Sequence, residues 1–344
     1  TQIGQLVAIL MATKIVAPNV WGWVADHTGH RMTIVRSASL LAALSFTGVF
    51  IASGFWWLAL VMIAFSFFWN AALPQFEATT MNHLGGETHR YSGIRLWGSV
   101  GFILTVVALG PLLDAFGTGR LPQVLAVLFM LIWLSSLIVP ESAAGHLPLD
   151  QERLRDVLRR PVVVSLLAVC FLMQASHGPY YAFFSIYLGN YGYSTALIGQ
   201  LWALGVLAEI GVFLVMPKLL PRFGARRLLL AAVSLTTLRW LLIAGFPDRL
   251  PVMVCAQTLH AASFGLYHAV AIFMVHRLFT GAHQGRGQAL YSSISFGAGG
   301  ALGSLLSGYL WTGMGAQAMY LMAAGASLVA FVVVFCGIRS GQGI

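Results

Sequence analysis

Charge is what this chain has least of. Of its 344 residues only 8% are Asp, Glu, Lys or Arg, against about 25% in an average soluble domain, and just 10 are acidic. So few ionisable side chains cannot cover a water-facing globule, which excludes a soluble enzyme or binding module. A hydrophobic content of 58% excludes a disordered chain as well. Cysteine is scarce: Cys170, Cys255 and Cys336 lie far apart, each inside an apolar stretch, which excludes a disulfide scaffold and any CxxC or zinc spacing. There is no GxxxxGK[ST] loop, no HExxH and no nucleophile elbow, and Gly85-Gly86 reads as a turn. The phosphate cradle, metal cluster or nucleophile that an enzyme needs is therefore missing, and no enzyme activity, metal or cofactor is expected.

What is abundant is apolar sequence in runs of about 20 residues, enough to cross a hydrocarbon layer about 30 Å thick at about 1.5 Å per helical residue. Reading these runs between charged and Gly/Pro punctuation predicts eleven spans, over 3–24, 32–52, 55–80, 93–113, 121–139, 162–188, 196–217, 228–246, 250–276, 288–311 and 317–338. The expected fold class is an all-α polytopic membrane protein. One long polar stretch, Pro140 to Pro161, is dense in residues of both charges and separates five spans from six. The expected organisation is an N-terminal helical half over 1–139, a cytoplasmic linker over 140–161 and a C-terminal six-helix half over 162–344.

The sequence also repeats itself. Ile3-Gly4-Gln5-Leu6 returns as Ile198-Gly199-Gln200-Leu201, and the same offset of 195 carries Gly29 onto Gly224 and Arg31 onto Arg226. Two matches in one register mark an internal duplication. The second copy has a span, Val162 to Leu188, ahead of its Ile-Gly-Gln-Leu, whereas the first begins almost at its own. About one N-terminal helix is thus expected to be absent from a twelve-span parent built as two parallel six-helix halves. Basic residues set the orientation. With the chain starting outside, thirteen of the 19 Lys and Arg fall in inside-facing segments and only Arg120 and Arg249 in outside loops. The net charge of +9 is read as topology in a plasma membrane (the inner membrane, if bacterial), not as a nucleic-acid footprint.

The segment GWVADHTGHR, Gly22 to Arg31, joins the first two spans, and two six-helix halves with such a loop resemble the major facilitator superfamily. Gly22, Asp26, Gly29 and Arg31 fit the family's loop signature; His27 and His30 stand where Arg or Lys is usual, and the second copy, PRFGARR from Pro221, lacks the Asp. The resemblance implies that these four residues form a conformational latch on the inward face. HRYSGIRLWGSVGF from His89, LMQASHGPYYAFFSIY from Leu172, LWALGVLAE from Leu201, LRW from Leu238 and QTLHAASFGLYH from Gln257 resemble the phenylpropionic acid transporter branch. That branch is related to the lactose permease and the nucleoside symporters. The resemblance implies a proton-coupled symporter without a bound cofactor, its partners a small solute, protons and membrane lipid, and its state a monomer.

A charge at the bilayer centre costs several kcal/mol, so intramembrane ionisable residues are candidates for function. Lys14 and Glu209 are related by the offset of 195 and sit about twelve residues from their loops, so they are expected near mid-membrane as an inter-half pair or two sides of one site. Arg36 is expected to snorkel. Glu77 and Arg95 resemble the carboxylate–arginine pair with which the lactose permease contacts substrate, and a planar guanidinium suits an oxygen pair. Glu209, Arg239 and His260 fall on the spans where that permease has Glu, Arg and His, which implies proton coupling with Glu209 the carrier and Arg239 its neighbour. Ser263 stands in place of the permease's second carboxylate.

Helical spacing places Gln174, His177, Tyr181 and Ser185 in one stripe and Gln257, His260, Phe264 and His268 in another; Trp202 shares a face with Glu209. Polar and aromatic stripes on otherwise apolar spans are expected to face a central cavity. Gly299, Gly303 and Ser307 form a small-residue face for helix packing. Substrate contact is thus expected from Lys14, Glu77, Arg95, Gln174, His177, Tyr181, Trp202, Phe264 and His268. The rings favour a flat solute and the cations an anion, so the reading is alternating-access uptake of a small aromatic or other organic acid. A sugar or nucleoside symporter, or a membrane sensor that transports nothing, are the alternatives.

Overall fold

A computed structural model describes residues 1–84, 91–141, 154–279 and 283–338; the side chains of 26, 81, 82, 91–93, 95, 154 and 283–285 lie outside the description. Every regular element described is helical. The first five long helices are α1 (Gln2–Thr28), α2 (Arg31–Phe46, continued by a 3-10 turn over Thr47–Phe50), α3 (Phe55–Leu84), α4 (Tyr91–Phe116) and α5 (Leu121–Ser136). A short α6 (Leu154–Leu158) precedes α7 (Pro161–Ser176), α8 (Gly178–Asn190), α9 (Thr195–Phe223) and α10 (Ala225–Gly245). The chain ends with α11 (Leu250–Thr258), α12 (Tyr267–Leu278), α13 (His283–Ser292), α14 (Gly300–Met314) and α15 (Ala316–Gly337). π-Helical segments join α11 to α12 over Ala261–Leu266 and α13 to α14 over Ser293–Gly299. Eleven helical stretches of the described residues are long and apolar enough to cross a membrane, the number expected from the sequence.

The duplicated glycines explain where two of these helices stop. Gly29 follows α1 at φ 70° with its N–H on the Ala25 carbonyl, and Gly224 follows α9 at φ 76° with its N–H on Leu220. A positive φ is strained for any residue with a Cβ, so Gly at this position ends both helices and starts the next one two or one residues later. At the same face, Arg36 does not snorkel. It donates from Nη2 to the Val139 carbonyl at 2.7 Å and from Nε to Ser136 at 3.4 Å, serving the carbonyls at the end of α5. Arg226 does the same for α15, donating to Ile338 at 2.6 Å and Phe335 at 3.1 Å. A cation at a helix C-terminus meets both unsatisfied carbonyls and the negative end of the helix dipole.

The second group of helices packs around α7–α8. Two buried clusters flank this axis, one holding Val163, Leu166, Met173, Val270 and Met274, the other Tyr180, Tyr187, Trp240 and Tyr320. α14 closes onto it by backbone contact: a Cβ on Gly303 would strike the Ala175 carbonyl, and one on Gly178 the backbone of Gly303. Ser307 is buried and donates to the Gly303 carbonyl. The small face of Gly299, Gly303 and Ser307 is therefore a packing surface. Pro161–Asn190 is the most buried of the described spans, and those of α4 and α5 are the least buried.

The two groups meet along α1 with α14 and along α4 with α9. Gly4 lies against Gly308, and Gly110 against Ala196, at separations a side chain would not allow. Hydrogen bonds reinforce the ends that charge places outside. The Asp114 carboxylate accepts from Thr195 N–H at 2.8 Å, Ala196 N–H at 2.9 Å and Thr195 Oγ1 at 2.6 Å, while Gln5 donates to Tyr309 at 3.2 Å. Asp114 on α4 thus caps the N-terminus of α9, a helix of the other group. Removing a cap of this kind costs about 1 kcal/mol. Asp114→Ala is expected to lower the melting temperature in detergent by about 2–4 °C, with Asp114→Asn, which keeps an acceptor, in between; equal melting of all three proteins would deny the cap any role.

Candidate substrate site

The interruption between α7 and α8 has a local cause. Pro179 has no N–H, and its ring disfavours a helical approach to the carbonyl four residues back, that of Ala175, so the helix stops at Ser176 and restarts at Gly178. His177 occupies the break. Its Nδ1 lies 2.7 Å from the Met173 carbonyl, which also accepts from Ser176 Oγ at 2.6 Å, and Ser176 in turn accepts from Trp240 Nε1 at 3.2 Å. The imidazole stands edge-on to Trp240 with centroids 5.0 Å apart, close to Tyr181, His260 and Phe264.

Arg239 of α10 is fully buried. Its Nε donates to the Ala256 carbonyl at 3.0 Å, Nη1 to Ser263 Oγ at 2.8 Å and Nη2 to Gln257 Oε1 at 2.9 Å. The guanidinium carbon also sits 4.2 Å from the Tyr180 ring centroid and 4.5 Å from that of Trp240. The cation is thus balanced by carbonyl and hydroxyl dipoles and two π-faces, an arrangement that a planar five-donor group can use and a lysine cannot. Arg239, expected as the neighbour of Glu209, directs its three guanidinium nitrogens to these acceptors. Gln257 belongs to the same frame and not to an open wall: it is fully buried, donating to Leu201 O at 3.1 Å and Tyr180 Oη at 3.2 Å.

Glu209 faces His260, Oε2 to Nε2 at 3.7 Å, with the carboxylate side chain 15% exposed. Two glycines make the space. A Cβ on Gly265 would come within 3.1 Å of Glu209 Cγ, and one on Gly205 within 3.3 Å of the His260 ring. Gly265 lies in the first π-helical segment, whose Ser263-Phe264-Gly265 is matched by Ser295-Phe296-Gly297 in the second. A π-turn inserts a residue and widens the helix locally, a feature common at functional sites. Through the first one, His260, Phe264 and His268 stack in parallel, with centroids 5.6 and 5.4 Å apart. Phe296 joins this ladder 6.3 Å from Phe264, and Tyr291 Oη lies 2.7 Å from His268 Nδ1.

Tyr181, Trp202, Phe264, His268 and Glu209 remain partly open, while Gln174, His177 and His260 lie just behind them, buried. Trp202 lies tilted against Tyr180 with centroids 4.3 Å apart and donates to Ser185 Oγ at 3.1 Å. Lys14 comes from the other group of helices, its Nζ 6.0 Å from the Phe296 centroid. Glu77 is half-buried on α3 beyond Pro74, and the side chain of its expected partner Arg95 lies outside the description. Of the expected latch, Gly29 ends α1 and Arg31 donates to Gln75 Oε1 at 3.0 Å. Gly22 has open space around it, and the Asp26 side chain lies outside the description. Sequence reasoning missed Phe296 and Tyr291; the repeated Ser-Phe-Gly was the signal that could have found them.

A bundle of membrane-crossing helices with polar and ionisable side chains gathered in its interior fits a multi-pass membrane transporter. Residues 1–322 match the MFS_1 like family, and the chain belongs to it. It is 30% identical over 332 residues to a probable 3-phenylpropionic acid transporter of Escherichia coli (strain K12), covering 92% of this chain and 83% of that protein. It is 27% identical over 343 residues to a maltose permease of Geobacillus stearothermophilus, covering 96% and 84%. The crystal structure of the nucleoside transporter NupG (D323A mutant) superposes with a TM-score of 0.85 at 18% identity, covering 98% of this chain and 91% of that one.

The Arg239 frame makes a stability prediction. A hydrogen bond to a charged group contributes about 1.5–3 kcal/mol, and Lys in this place cannot reach all three acceptors. Arg239→Lys is expected to lower the detergent melting temperature, as is Gln257→Leu. The double variant should lose clearly less than the sum, because the two residues share one bond. Additive losses would mean that the pair acts separately.

Proposed function

We propose that this protein is a proton-coupled symporter of a small aromatic or other organic acid, working by alternating access of the halves 1–139 and 162–344. The observation that carries the reading is the Glu209–His260 contact set in a wall of rings, with the Lys14 ammonium opposite on Phe296. A carboxylate beside an imidazole can gain and lose one proton between them, which is the elementary act of coupling. Lys14 brings a positive charge to this wall of rings, which an anionic substrate would complement. The rings of Tyr181, Trp202, Phe264 and Phe296 offer flat apolar area for an aromatic body. Arg239, satisfied within its frame, serves as a positioning residue for His260 and the π-turn. The similarity to the 3-phenylpropionic acid transporter supports this choice of solute. The outer closure by Asp114 and the glycine contacts supports a state in which the solute leaves toward the inside.

A sugar or nucleoside symporter is the second reading, favoured by the resemblance to the maltose permease and to the fold of the nucleoside transporter. Proteoliposomes loaded with a pH dye separate the two. Internal acidification on adding 3-phenylpropionate, but not maltose or uridine, is expected; a response to maltose or uridine alone would replace the acid with the alternative. In the same vesicles Glu209→Gln should abolish uptake driven by a pH gradient while sparing exchange of labelled for unlabelled solute. Lys14→Gln should raise KM about 10-fold or more, the loss of one charge-assisted contact; an unchanged KM would remove Lys14 from the site.

A further inference from the structure

Three buried side-chain atoms beside the break between α7 and α8 make no hydrogen bond: Nε2 of Gln174, Nε2 of His177 and Nδ1 of His260. Their residues are only 3%, 1% and 5% exposed. Buried polar atoms are nearly always paired, and orphans on two neighbouring rings, with a third three residues before His177 on α7, call for a partner. Their chemistry can be read from what the other ring nitrogens do. His177 Nδ1, 2.7 Å from the Met173 carbonyl, must carry the hydrogen, so Nε2 of the neutral ring is a bare acceptor. His260 turns Nε2 toward the Glu209 carboxylate at 3.7 Å, which puts the hydrogen there and leaves Nδ1 as the acceptor. Gln174 Nε2 is a donor. The cluster therefore offers two lone pairs and one N–H, from rings whose centroids lie 6.5 Å apart.

We infer that Gln174, His177 and His260 form a hydroxyl subsite, binding a neutral O–H of the substrate that donates to an imidazole and accepts from the Gln174 amide. A carboxylate would meet the imidazole lone pairs with its own, so the acid end belongs elsewhere. Phe264 lies 5.6 Å from His260 and 6.5 Å from His177, which places an aromatic body against the subsite, and Lys14 on Phe296 lies beyond it. Resting on the organic-acid reading above, the inference narrows the substrate to a ring-hydroxylated aromatic acid. A sugar or a ribose presents the same O–H, and the test separates these sources.

Equilibrium binding to the purified protein in detergent is measured for pairs that differ by hydroxyl groups. These are 3-phenylpropionate with its 3- and 4-hydroxyphenyl analogues, uridine with 2′,3′-dideoxyuridine, and D-glucose with 3-deoxy-D-glucose. A site that hydrogen-bonds an O–H rejects the analogue lacking it, so one hydroxyphenyl acid should bind about 10-fold or more tighter than 3-phenylpropionate. That ratio should fall toward unity in Gln174→Met and in His177→Phe. Gln174→Met is close to isosteric and carries the test if His177→Phe fails to give a monodisperse protein. A hydroxyl preference confined to the uridine or glucose pair, and lost in the same variant, keeps the subsite and overturns the organic acid. Acid binding with no hydroxyl preference, a preference that survives the variants, or no binding by any pair overturns the subsite and assigns the cluster to bridging water.

Discussion

A guanidinium held by hydrogen bonds to uncharged groups lies wholly inside this bundle, and the geometry around it follows from that fact. Arg239 can remain charged in a low-dielectric interior only if every face it presents is met by a dipole or a π-system. Ala256, Ser263 and Gln257 meet its edge and Tyr180 and Trp240 its faces. These partners come from three different spans, so the cation fixes α8, α10 and the start of the first π-turn relative to each other. Trp240 in turn holds Ser176, which caps the break where His177 sits. The Glu209–His260 contact is therefore placed by a framework whose central charge takes no part in it.

A second constraint is the closeness of backbones. Between lipid-like side chains there is little hydrophobic force to hold helices together, so small residues that allow close packing, and hydrogen bonds at the ends, decide where they meet. Gly303 and Gly178 seat α14 on the axis of the second group, while Gly4 and Gly110 seat the two groups on each other near the outer face. The glycines of the repeated Ser-Phe-Gly, Gly265 and Gly297, work differently. Gly265 admits a side chain, Glu209, and Gly297 admits Ile15 of α1, so each widened turn receives a neighbouring helix at the depth of the rings.

The eleven spans were legible because length and apolar content alone define a membrane crossing, and the duplicated Gly29 and Gly224 marked helix ends since only Gly takes that φ freely. The stripe containing His260, Phe264 and His268 was legible from four-residue steps, although the backbone between them is π-helical. What spacing could not reveal was partnership. Period places Gln257 on the same stripe as His260, yet its amide is drawn to Arg239 and Leu201; and the set of Glu209, Arg239 and His260 was legible without revealing that Glu209 and His260 face each other within it. Charge symmetry suggests pairs, but reach across a bundle depends on helix rotation, which a repeat offset does not encode. Arg36 shows the same limit at the surface: its helix neighbours were predictable, the carbonyl ends of α5 were not.

The Asp114 cap has a kinetic meaning. Its carboxylate and the two N–H groups of α9 are bonded at an edge where both would be hydrated if the helices separated, so water replaces almost everything that is lost. Such a contact contributes little to the balance between closed and open arrangements. It must nevertheless break before water can enter, and at that moment neither partner is bonded to anything. In the alternating access proposed above, the cap acts on how often that face opens more than on how long it stays open.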